Sequence, residues 1–92
     1  MSNQLQQRAQ SFLERPIPDG LPYAPDSMSE RFVRAYATDG VVELDAELTE
    51  LLGICVMEAE FASKSKSPEE AEFFGESCEI LSEILAECSR ST

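Results

Sequence analysis

The segment Ser67 to Ser89, SPEEAEFFGESCEILSEILAECS, constrains the fold of this chain more than any other stretch. Ser67 is placed to cap a helix, Pro68 suits the first helical position, and Glu70 completes a capping box with Ser67. Behind that start, Ala71, Phe74, Cys78, Leu81, Leu85 and Cys88 recur at spacings of three and four, and Phe73, Ile80 and Ile84 widen the apolar side. At about 100° per residue, Glu72, Glu76, Glu79, Glu83 and Glu87 collect in a narrow stripe on the other side. One helix thus carries much of a core and a line of carboxylates.

The preceding segment reads as that helix's partner. Asp45 caps a helix running to about Ser63, with Leu48, Leu51, Leu52, Cys55, Val56, Ala59 and Ala62 on a broad core face. Ile54, Met57 and Phe61 form a second apolar group on a different side. Gly53 sits inside this helix at a cost of about 1 kcal/mol relative to alanine, and close approach of another helix is the expected reason. The short polar turn SKSKSP makes the two helices antiparallel neighbours.

Two further helices precede this hairpin. Ser2 to Arg15 presents Leu5, Ala9, Phe12 and Leu13 on one face, with Arg8 and Arg15 on its polar side. Ser27, with Glu30 three residues on, starts a helix whose apolar face is Met28, Phe32, Ala35 and Tyr36, and Gly40 is placed to end it. Between them RPIPDGLPYAPD holds four of the five prolines, which excludes helix. This strap, with Ile17, Leu21 and Tyr23, either lies in a groove of its own domain or is presented to a partner. Val41 to Leu44 reads as an extended connector without a strand to pair with. The expected fold is a single all-α domain over residues 1–92: residues 1–26 form a helix and strap, and 27–92 a helical core built on the C-terminal hairpin.

Charge narrows the choice of partner. The 92 residues carry a net charge of −11. Residues 1–42 hold 4 basic and 5 acidic side chains, whereas residues 43–92 hold 3 basic and 13 acidic, so nearly all the excess lies in the second half. Nucleic acid or an anionic membrane would be repelled, and a basic protein is the expected partner. No apolar run approaches the ~20 residues of a membrane span, and MSNQLQQRAQSF lacks a signal-peptide block. A cytoplasmic protein of a bacterium or a phage-infected host cell is expected. Cys55, Cys78 and Cys88 lie on apolar faces without a C-x-x-C, which fits buried free thiols in a reducing compartment.

The residue inventory points away from an enzyme. There is no histidine to act as a base, no G-x-S-x-G and no phosphate-binding glycine loop. Neither PDG nor TDG extends into a calcium loop, and no cofactor or metal is expected. Two surfaces remain as candidates. Glu69, Glu72, Glu76, Glu79, Glu83 and Glu87 form either an ordinary solvated helix face or a track that occupies a nucleic-acid groove on a basic partner. Their i, i+4 neighbours include no Lys or Arg, so within the helix they repel by a few tenths of a kcal/mol per pair. Ile54, Met57 and Phe61 are either covered by the first helix or the strap, or form a homodimer or partner interface.

No motif here matches a named family. In general type, being small, acidic, helical and without catalytic groups, the chain is similar to phage-encoded inhibitors, including anti-CRISPR proteins and nucleic-acid mimics. That likeness implies a non-enzymatic inhibitor or regulator of a basic, nucleic-acid-handling protein, monomeric or dimeric. The alternative is a homodimeric adaptor, chaperone or immunity-type module using the apolar group of the third helix.

Overall fold

The computed structural model describes residues 4–16 and 27–89. Among them the chain forms four helices, α1 (Gln4–Glu14), α2 (Met28–Asp39), α3 (Ala46–Ala62) and α4 (Pro68–Ser89), and no strand. The fold is all-α, and α3 and α4 form the expected hairpin. The strap residues Ile17, Leu21 and Tyr23 lie outside the described residues.

Local chemistry sets the helix ends, in two places differently from expectation. Ser27 is extended (φ −69°, ψ 161°) and its side chain accepts the Glu30 N–H at 3.3 Å. The Glu30 carboxylate does not close the box, because it is nearly buried and pairs with Arg34 one turn on. A buried carboxylate gains more from a guanidinium than from a backbone amide. At the other end Gly40 takes the left-handed conformation (φ 73°, ψ 6°) and donates its N–H to the Tyr36 carbonyl at 2.7 Å. Asp45 caps α3 as expected, accepting from Leu48 N–H at 2.7 Å.

The start of α4 is built from Ser65 rather than from a Ser67–Glu70 box. Ser65 Oγ accepts the Ser67 N–H at 3.2 Å and donates to Glu70 at 2.9 Å. Lys64 and Ser65 donate their N–H groups to the Phe61 and Ala62 carbonyls, each at 3.2 Å. That tight turn brings Ser65 back over the first turn of α4, where its hydroxyl replaces the longer reach from Glu70 to Ser67.

α4 is the shared element of the core and touches each of the other three helices. Its most buried line is Phe73, Ser77, Ile80 and Ile84, with Leu81 and Cys88 alongside. Ala71, Phe74, Cys78 and Leu85 are only partly buried, so the buried face is turned away from the expected one. The reason is that α4 is covered from two sides. On one side α3 approaches, with Cys78 Sγ 3.7 Å from the Val56 carbonyl. On the other, the Phe12 ring of α1 lies 5.0 Å from that of Phe73. Similarly, α2 contacts α1, α3 and α4 and buries Val33 and Ala37 beside Phe32 and Tyr36, while Met28 stays exposed.

Gly53 corrects a further expectation. A Cβ at this position meets nothing within 4 Å, so among the described residues no helix approaches it.

Candidate functional surfaces

The glutamate stripe of α4 is the docking track of α1. Arg8 pairs with Glu83 and, at 3.3 Å, with Glu79. Arg15 pairs with Glu76 and, at 2.8 Å, with Glu72. The two arginines are seven residues apart, two helical turns, and the two glutamate pairs are offset by the same seven. As α1 advances α4 recedes, so the helices run antiparallel and the charges fall into register. Tyr36 of α2 donates its hydroxyl to Glu87 at 2.9 Å. Glu69 is exposed at the start of the helix.

The repulsion along α4 is therefore relieved by another helix. Looking along α4 alone for a basic i, i+4 neighbour misses cations supplied from more than fifty residues away in sequence. The signal that would have found them is the matched seven-residue spacing of Arg8–Arg15 and of the two glutamate pairs.

Magnitudes decide what this network does. The glutamates are 36–73% exposed, and solvent-screened ion pairs of this kind contribute about 0–1 kcal/mol each. Burying Leu5 or Phe12 contributes roughly 1.5–3 kcal/mol apiece. Apolar burial thus holds α1 down, and the arginines set its register. Four carboxylates facing two guanidiniums also leave the track anionic.

The second surface is exposed among the described residues. Ile54, Met57 and Phe61 are 45%, 69% and 82% exposed. Neither is α1 their cover, since it packs on α2 and α4 and does not reach α3. Ile54, Met57, Glu58 and Phe61 line one shallow hollow, and Phe61 also borders a second with Lys64, Ser65 and Phe74. The helix pattern explains this arrangement. Leu52, Cys55 and Ala59 point into the core, and the sector carrying Ile54, Met57 and Phe61 points outwards.

The three cysteines are thiols rather than disulfides, with Cys55 and Cys88 buried and Cys78 half-buried. Burial pushes the Cys55 thiol above its ordinary pKa, a hydrogen bond from Ser29 of α2 partly opposes this, and Glu58 adds to it. A raised pKa is the reverse of what activates a cysteine nucleophile. Cys88 Sγ accepts the Val42 N–H at 3.4 Å and ties the connector to α4. Among the described residues no cluster of His, Cys, Asp and Glu has the arrangement to hold a metal ion, and no helix is long and apolar enough to cross a membrane.

No known family model matches this sequence, and neither a curated protein nor a solved structure shows significant similarity to it.

Proposed function

We propose that this protein is a non-enzymatic interaction module that engages a protein partner through the outward face of α3. The observation that carries this reading is the exposure of Ile54, Met57 and Phe61 on successive turns of one helix. Large apolar side chains scattered singly over a surface are ordinary, but three in one line with hollows between them have the make-up of an interface centre. Adaptor, chaperone and immunity-type roles all use such a face. A photo-activatable residue at position 57 tests it in cells. Cross-linking to a protein is expected there and not from Glu43 on the connector; equal labelling at both positions overturns the reading.

A second reading is favoured by the α1–α4 pairing. The stripe already receives arginines two turns apart, so it fits a basic surface presenting the same spacing. In that case the protein inhibits a basic, nucleic-acid-handling partner, as phage-encoded inhibitors of the anti-CRISPR type do. Reversing Glu76, Glu79 and Glu83 to Lys would also loosen α1, so the reversal is combined with Arg8→Glu and Arg15→Glu. Loss of partner binding in this folded variant supports the second reading, and retained binding removes it.

A further inference from the structure

The outward face of α3 carries more than three apolar residues. Glu50, Ile54, Met57 and Phe61 of α3, with Lys64 in the turn just after it, follow one another at steps of four, three, four and three, the spacing of a helix–helix seam. Glu50 and Lys64 are both exposed, and the Lys64 backbone is held against the last turn of α3 by its bond to the Phe61 carbonyl. Lys64 and Phe61 border the same hollow. The line therefore reads acid, apolar, apolar, apolar, base.

Such a line is complementary to itself in one orientation. Set antiparallel to a second copy about a two-fold axis at Met57, Lys64 lies opposite Glu50 of the other copy, each seven residues from the axis. Phe61, four residues beyond the axis, lies opposite Gly53, four residues before it. Gly53 is the helix-interior glycine above which there is open space, so it leaves the hollow that a facing phenylalanine ring needs. Met57 meets its own equivalent on the axis. A parallel arrangement would instead oppose Glu50 to Glu50 and Lys64 to Lys64.

We infer that the occupant of this face is a second copy of the chain, packed antiparallel along α3 with Phe61 over Gly53 and Glu50 paired with Lys64. The inference rests on the docking-face reading above and names its partner. An isologous contact of this kind closes at two copies, because each uses the same patch. The contact uses one face of one helix from each copy, so the dimer is a dissociating one. The net charge of −11 on each copy opposes association at low salt, and the ~8 Å screening length at physiological ionic strength confines that repulsion.

Sedimentation equilibrium of the full chain at physiological salt, from about 1 µM to about 1 mM, tests the inference. The expected result is a monomer–dimer equilibrium that Met57→Glu abolishes, with helical circular dichroism unchanged. Glu50→Lys and Lys64→Glu should each weaken the dimer by about tenfold, and the double swap should recover most of the loss. A strict monomer over the whole range, a dimer indifferent to Met57→Glu, or a double swap no tighter than either single change overturns the inference. A strict monomer whose position 57 still cross-links to another protein would remove the second copy as occupant and leave the docking-face reading standing.

Discussion

The Arg15 guanidinium stands 6.0 Å from the centre of the Phe73 ring, at the edge of the aromatic core of α4. The same guanidinium pairs with Glu72 and Glu76, and the same ring packs on Phe12 and, edge-on at 5.4 Å, on Phe74. Charge register and apolar packing therefore meet at one seam between α1 and α4. The seam explains why α4 tolerates a row of carboxylates beside its most buried residues.

The two contributions are separable by substitution. Phe12→Ala is expected to destabilise the domain by about 3–5 kcal/mol, the usual result of truncating a buried phenylalanine. Arg15→Gln should cost less than about 1 kcal/mol, since its partners are largely exposed. Urea denaturation followed by circular dichroism measures both. The reverse order would mean that ion pairs, not burial, dock α1.

Register is a local property, and amide hydrogen exchange reads it locally. With Arg8→Gln and Arg15→Gln combined, amides of α1 should exchange faster while those around Ile80 and Ile84 in α4 change little. High salt should move wild-type α1 in the same direction by screening the pairs. Uniform acceleration over all four helices would contradict a role confined to α1.

Two glycines should respond to alanine with opposite signs. Gly40→Ala places a side chain at φ 73° and brings its Cβ within 3.2 Å of the Gln6 side chain, so a loss of about 1–2 kcal/mol is expected. At Gly53 the helix is ordinary and the space is open, so Gly53→Ala should gain up to about 1 kcal/mol. Thermal melts in dilute solution, where association does not contribute, give both values.

Cys55 makes stability fall at alkaline pH. Its folded pKa lies above the ordinary thiol value because burial disfavours the thiolate. Below that value both states keep the proton and its contribution is fully present. As pH rises past it the unfolded state ionises first, and the contribution is lost until the folded pKa is reached. Urea titrations from about pH 8 to about pH 10.5 should show a steeper decline for wild type than for Cys55→Ala. Parallel declines would mean that the thiol ionises equally in both states.

Much of the fold is legible residue by residue. Asp45, Gly40 and Pro68 mark helix ends through hydrogen bonds and backbone preferences that act within a few positions, so they read the same in the chain and in the fold. The apolar periods of α3 and α4 likewise give the hairpin. Errors begin where one element meets several others. Phe73, Ile80 and Ile84 look like the margin of an apolar face, yet they form its centre because α1 and α2, as well as α3, cover α4.

The candidate surfaces divide in the same way. The spacing of the glutamates and of Ile54, Met57 and Phe61 is a property of the sequence, since helical periodicity places each set on one face wherever the helix goes. What covers each face is decided by tertiary packing, because it depends on where α1 lands. Leu5, Ala9 and Phe12 bury themselves against α2 and α4, and that docking brings Arg8 and Arg15 onto the stripe. The same placement keeps α1 off α3 and leaves Met57 and Phe61 exposed. A single helix, positioned by burial of its own apolar side, neutralises one candidate surface in part and leaves the other open.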